Sequence, residues 1–192
     1  MIRPSTPDDA AAVVPLIDIV FEEMEIPALM ALPKRELYPL FEQAFLLPTY
    51  RYGYPQTLVH EGAGGIDGIL VGYPHSAEAH IDDAFAPLLP KLGLTHELFP
   101  DNETYPGEWY VDTLAVAPSA RGHGVATQLL TQIEPHAAKT GARCLSLNVD
   151  ETNPRAERLY RRVGYGDSGT LMIGSHRYKH LTKPLPNPKA GQ

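Results

Sequence analysis

The sequence is short of cysteine, of positive charge and of long apolar runs, and each shortage narrows what the chain can do. One cysteine, Cys144, stands among 192 residues. A lone cysteine closes no internal disulfide, so the fold must be held by burial, and a reducing compartment suits it. In its strand-like setting, RCLSLNV, it reads either as a reactive thiol or, more commonly, as a small buried side chain. Sixteen Lys and Arg against 23 Asp and Glu leave a formal net charge of −7. A surface of that sign repels phosphate backbones, which argues against nucleic acid as a partner and favours cationic small molecules. No apolar run approaches the ~20 residues of a membrane span. The opening MIRPSTPDDAAAVVPLIDIV lacks the basic region and apolar core of a signal peptide, so a soluble, cytoplasmic protein without a membrane partner is expected. His60, His75 and His80 are scattered without ligand spacing, and no metal is expected.

What is present is an ordinary globular composition, 43% hydrophobic and 20% charged. The length suits one domain, expected over residues 1–185, with a variable insertion at 75–107 and a loose tail at 186–192. MIRPST reads as an opening strand, and Pro7 opens a helix with Thr6 as its cap. DDAAAVVPLIDIVFEEM and PKRELYPLFEQAFLL have helical spacing broken by Pro15 and Pro39. TLVHE and IDGILVGYP read as a hairpin around GAGG. AHIDDAFAPLLPKLGL is expected as a helix ended by Gly93, and FPDNETYPG as a loop. EWYVDTLAVAP is a strand closed by Pro118, GVATQLLTQIEPHAAKTG a helix, and ARCLSLNVD a strand. NPRAERLYRRVGY is a short helix with Asn153 as cap and Pro154 at its first position. TLMIG and RYKHLTKPL suggest a closing hairpin.

The stretch LAVAPSARGHGVATQLL is the most informative. Glycine opens a helix poorly, yet Gly122 and Gly124 stand straight after a strand. A helix N-terminus offers unpaired backbone N–H groups and partial positive charge, which suit a phosphate. Small residues let a ligand approach the main chain, and Gly122, Gly124 and Ala126 meet that need. Arg121 can add a charge-assisted contact. A plain strand-to-helix turn would use the same glycines. Of the more specific readings, a P-loop needs GxxxxGK[ST], which is missing. A dinucleotide fingerprint needs a third glycine where Thr127 stands, and further strand–helix units for which too little chain remains. A coenzyme A binder is the third reading.

Here the sequence resembles the GNAT superfamily of N-acetyltransferases. Arg121, Gly124 and Ala126, after Leu114, Val116 and Pro118, are similar to its acyl-CoA signature. The block LNVDETNPRAERLYRRVGY resembles a second family pattern, through Asn148, Asn153, Ala156, Leu159, Tyr160, Gly164 and Tyr165. The resemblance covers about residues 108–166. It implies an α/β fold of the α+β kind: a mixed, mostly antiparallel sheet with helices on both faces and a V-shaped splay between two central strands. It implies acetyl-CoA as cosubstrate. Main-chain groups of Leu114 and Val116 would pair with the pantetheine arm. The amides of Arg121, Gly122, His123, Gly124, Val125, Ala126 and Thr127 would cradle the pyrophosphate. Asn153 would hydrogen-bond the pantetheine region, and Tyr160 would stand near the thioester sulfur.

Acetyl transfer to an amine needs a proton removed from nitrogen, a stabilised carbonyl oxygen and a proton for the leaving thiolate. Tyr160 suits the last task. For the base, strict alternation along EWYVDTLAV would put Glu108, Tyr110, Asp112 and Leu114 on one face and Trp109, Val111 and Thr113 on the other. Asp112 and Glu108 are therefore both candidates. His123 would face the diphosphate and not the amine. Of Arg155, Arg158, Arg161 and Arg162, one or two would meet a nucleotide phosphate. Glu22, Glu23 and Glu25, with Tyr50, Tyr52 and Tyr54, would suit a cationic acceptor, or equally an acidic helix end with tyrosines under the core. The function expected is acetyl transfer from acetyl-CoA to a primary amine of a small molecule or peptide, by direct attack in a ternary complex. A CoA-binding sensor without catalysis is the alternative. A homodimer is the assembly to test.

Overall fold

The computed structural model describes residues 1–186. The tail expected from residue 186 therefore lies, from 187 onward, outside the described residues. Seven strands form one sheet in the order β1-β2-β3-β4-β5-β7-β6. They are β1 (Ile2–Pro4), β2 (Thr57–Gly62), β3 (Gly65–Pro74), β4 (Glu108–Val116), β5 (Cys144–Asp150), β6 (Gly166–Ile173) and β7 (His176–Pro184). Every neighbouring pair is antiparallel except β4 with β5, which is parallel. Helices α1 (Ala10–Met24), α2 (Pro27–Met30), α3 (Lys34–Phe45) and α4 (His75–Glu78) precede β4, and α5 (Val125–Gln132), α6 (Glu134–Lys139) and α7 (Pro154–Arg162) follow it.

Two apolar clusters lie on opposite faces of the sheet. On one, α1 and α3 bury Val13, Ile17, Phe21, Leu37, Phe41 and Phe45 against Val59, Ile69, Val71 and Ala115. The apolar stripe of α1 survives Pro15, since the amide missing there would have bonded back to the first turn only. On the other face, Val125, Leu129 and Ile133 pack on Leu70, Trp109, Val111 and Leu147, with Leu114, Val116, Leu159 and Tyr160 at the margin.

Two expected helices take another form. Residues Asp83–Leu92 wind as 3₁₀ turns up to Gly93, because Pro87 and Pro90 deny the amides that an α-helix needs. The helix expected over GVATQLLTQIEPHAAKTG divides into α5 and α6 at Ile133, two residues before Pro135. The segment before β4 runs across the α1 face of the sheet as a strap. Asp101 accepts from the Gly174 amide in the β6–β7 turn at 2.7 Å. Glu78 accepts from the Glu103 amide and from the Thr104 hydroxyl, both at 2.7 Å.

A fork between two strands as candidate active site

The parallel ladder joins Glu108, Trp109 and Tyr110 to Cys144, Leu145 and Ser146, and goes no further. β4 continues to Val116 and β5 to Asp150, so beyond Tyr110 the two strands part in a V. A bulge helps to drive them apart. Val71 faces Thr113 and Gly72 faces Val111, so Asp112 is an extra residue on β4. Bulges bend the strand that carries them and raise its local twist.

That extra residue corrects the expected alternation. Leu114 and Val116 lie with Trp109 and Val111 on the α5 face, while Ala115 packs in the α1 cluster and Thr113 pairs across from Val71 of that cluster. Glu108, Tyr110 and Asp112 therefore do not share a face with Leu114. The backbone edge of β4 from the bulge to Val116 has no ladder partner on the β5 side, as an added extended arm would require.

At the open end of β4, Pro118–Ala120 turn the chain into the glycine loop. Gly122 and Gly124 have φ of 84° and 83°, a left-handed conformation that side chains disfavour. A Cβ on Gly122 would meet nothing within 4 Å, and one on Gly124 only the Gln128 amide nitrogen at 3.9 Å. The glycines thus serve backbone conformation and leave the space above the loop open. The first amides of α5, from Val125 to Thr127, face that space at the positive end of the helix. Arg121 is exposed and donates through Nε to the Val116 carbonyl at 3.1 Å, tying the loop to the end of β4. His123 is exposed beside Ala120.

Across the fork, Asn153 caps α7: its side chain accepts from the Ala156 amide at 3.1 Å, leaving Nδ2 as the atom that can meet a ligand. Tyr160 sits on α7 against the α5-face cluster, edge-on to Tyr165 with ring centroids 6.1 Å apart. Burial, aided by the charge of Glu23, pushes its phenol up to about 12, so it keeps its proton at neutral pH. Cys144 stands where the ladder begins, and burial followed by the Glu108 charge raises its thiol, which keeps it protonated. Of the four arginines around α7, Arg161 is engaged by Glu157 and Asp167, each at 2.7 Å.

The two carboxylates expected as bases are both held by partners. The Asp112 side chain is 4% exposed and accepts from Arg51 at 3.0 Å, from the Tyr73 hydroxyl at 3.2 Å and from Thr113 at 3.0 Å. Glu108 meets His180 Nε2 at 3.0 Å and accepts from the Tyr105 amide at 2.9 Å. Burial favours its protonated form, but the contacts from His180 and Tyr105 outweigh that and hold its carboxyl below the usual range. Tyr50 and Tyr52 are core residues, 0% and 2% exposed, so no cage of these tyrosines faces a cation. Glu22 pairs with Lys34.

Sequence reasoning missed Arg51, Glu103 and His180. Arg51 was hidden in a tyrosine-rich loop, Glu103 in the variable insertion, and His180 in a terminal strand. The structure joins them across the fork. Asn148 Nδ2 donates to the Glu103 carbonyl at 2.9 Å and to the Tyr110 hydroxyl at 3.1 Å. A carbonyl only accepts, so Asn148 Oδ1 is left for His180 Nδ1, at 2.7 Å, which must carry the hydrogen. The Tyr110 hydroxyl in turn donates to Glu103 Oε2 at 2.6 Å.

The sheet is thus forked at a bulge and carries a glycine loop at its mouth. The profile described as the acetyltransferase (GNAT) family matches residues 94–165. A solved structure described as an acetyltransferase is 38% identical, with 97% of this chain and 100% of that one covered and a TM-score of 0.87. The chain belongs to the GNAT family. An N-acetyltransferase from Staphylococcus aureus Mu50 is 29% identical over 95% of this chain and 99% of its own, with a TM-score of 0.85. Acetyltransferase Atu2258 of Agrobacterium fabrum (strain C58 / ATCC 33970) is 40% identical over 65 residues, 34% of this chain and 46% of that relative. The match thus spans under half the length of this curated relative. Among the described residues no helix is long and apolar enough to cross a membrane.

Proposed function

We propose that the chain transfers the acetyl group of acetyl-CoA to a primary amine of a small molecule or peptide, by direct attack in a ternary complex. The observation that carries this reading is the parallel ladder that stops after Tyr110, opening a cleft with bare helix amides at its mouth. The pyrophosphate would rest on the amides of residues 121–127. The pantetheine arm would pair with the free edge of β4 near Leu114 and Val116. An amide at or beside Leu114 would polarise the thioester carbonyl. Tyr160 would protonate the departing thiolate, a role that fits a phenol kept neutral by burial. Direct attack leaves no acylated residue, so Cys144 has no part. A cytoplasmic setting fits its free thiol.

Titration calorimetry with CoA, followed by acetyl-CoA consumption against polyamines, aminoglycosides, amino acids and peptides, tests this reading. Tyr160→Phe is expected to keep acetyl-CoA affinity while turnover falls roughly 10²–10⁴-fold. Folded protein that takes up no CoA defeats the proposal. CoA uptake without turnover of any amine would favour the sensor alternative.

A further inference from the structure

Three carboxylates share one buried guanidinium beneath the strap. Arg51 is 3% exposed and reaches Asp82 at 2.8 Å, Asp112 at 3.0 Å and Glu103 at 3.2 Å. With all three ionised, the cluster would hold two uncompensated negative charges away from water, and one proton relieves it. Asp82 takes two guanidinium nitrogens, and Asp112 has Tyr73 and Thr113 besides Arg51. Glu103 has the longest of the three ion pairs, and its other oxygen faces a neutral hydroxyl. It is also the carboxylate that straddles the fork. Its carboxyl meets Tyr110 of β4 and its carbonyl meets Asn148 of β5, on the face opposite the glycine loop and α7.

We propose that Glu103 takes the proton from the incoming ammonium group, and that Tyr110, Asn148, His180 and Glu108 are positioning residues that hold it at the fork. The inference rests on the acetyl-transfer reading above. In the step, an N–H bond of the ammonium breaks and an O–H bond forms on Glu103. The freed lone pair attacks the thioester carbonyl carbon, the C–S bond breaks, and the thiolate takes the Tyr160 proton. The nitrogen sheds its second proton through water, which restores Tyr160, and Glu103 returns its own to solvent. Asn148 passes no proton, because an amide would lose its resonance in doing so. The chain from Glu108 to Tyr110 therefore orients and does not conduct.

The groups that face Glu103 set when it can act. Arg51 favours its ionised form and Asp112 opposes it, while burial opposes it most and lifts the carboxyl to about 7. Glu78 holds its amide, Asn148 its backbone carbonyl, and Arg51 and Tyr110 one carboxylate oxygen each, and its charge reaches Tyr73 and Tyr178. A carboxyl half-ionised near neutral pH is matched to proton removal there.

The test uses the full chain and the Glu103→Gln and Tyr110→Phe variants. Carboxyl ¹³C NMR of the free protein is expected to show one carboxyl titrating near pH 7, missing in Glu103→Gln. With whichever panel amine turns over, Glu103→Gln should lower kcat/KM roughly 10²–10⁴-fold and lose the acidic limb of the pH profile, while CoA affinity stays within about twofold. Tyr110→Phe removes a donor to the ionised form, so the limb should move to higher pH with CoA affinity kept. A wild type with no carboxyl titrating near neutrality overturns the inference, as does Glu103→Gln turnover within about threefold of wild type with the limb unmoved. If the wild type binds no CoA, the acetyl-transfer reading fails as well. If it binds CoA and the titration is absent, the inference fails alone.

Discussion

Replacing Glu103 by glutamine is expected to make the protein more stable in alkaline solution, by an amount that depends on pH. The carboxyl lifts from 4.5 to about 7 on folding, chiefly through burial. Between those values the folded state binds more protons than the unfolded chain, so stability falls as pH rises from 4.5 and levels off above 7. The full rise corresponds to ~3 kcal/mol, of which ~2 kcal/mol falls between pH 5 and 8. Glutamine mimics the protonated carboxyl, keeps an oxygen for Arg51 and removes the titration. For a chain of this length 1 kcal/mol moves Tm by about 2–4 °C, so the variant's advantage over wild type should grow by ~4–8 °C from pH 5 to pH 8. Circular dichroism melts of both proteins at matched ionic strength across that range measure it. A Tm difference that stays constant, or shrinks as pH rises, refutes the account of three carboxylates sharing one guanidinium.

Three further outcomes follow from other parts of the site. Gly124→Ala forces a side chain into the left-handed region at about 1–2 kcal/mol, and calorimetry should show CoA affinity falling more than that strain explains, since the Cβ meets no nearer protein atom than 3.9 Å. Arg51→Met leaves Asp82, Glu103 and Asp112 without their shared cation, so unfolding in urea should report a loss of ~3–5 kcal/mol, eased as the pH is lowered. Glu108 is held below the usual carboxylate range, so its contribution is present above that range and is lost as pH falls through the folded value. His180→Gln should make that acid-side loss of stability shallower, read from melts below about pH 5.

The layout of the strands and the glycine loop was legible because both write short-range signals. EWYVDTLAV and CLSLNV are apolar runs bounded by Pro118 and Gly141, and the GxG of residues 122–124 permits the left-handed turn the chain takes there. Asn153 and Pro154 announced α7 by capping chemistry alone. What could not be read is non-local or off-period. The extra residue at Asp112 depends on the pairing of β4 with β3, so alternation carried past it assigned Leu114 to the wrong face. Pro87 and Pro90 turned an apolar helical pattern into 3₁₀ turns. The Arg51 cluster draws on residues 51, 82, 103 and 112, which no local spacing links. The groups that hold Asp112 and Glu108, namely Arg51 and His180, lie 61 and 72 residues away along the chain, so no local signal announced them.

The bulge also sets which changes in length this strand tolerates. Ahead of it, Tyr110 is keyed to the strap; behind it, Leu114 and Val116 are keyed to the helix that carries the glycine loop. The extra residue works as a half-turn coupling between two parts that would otherwise be out of phase. Substitutions along β4 perturb one end at a time. Deleting a single residue there would rotate one whole end, sending either the hydroxyl at the fork or the apolar anchors of the loop to the wrong side of the sheet.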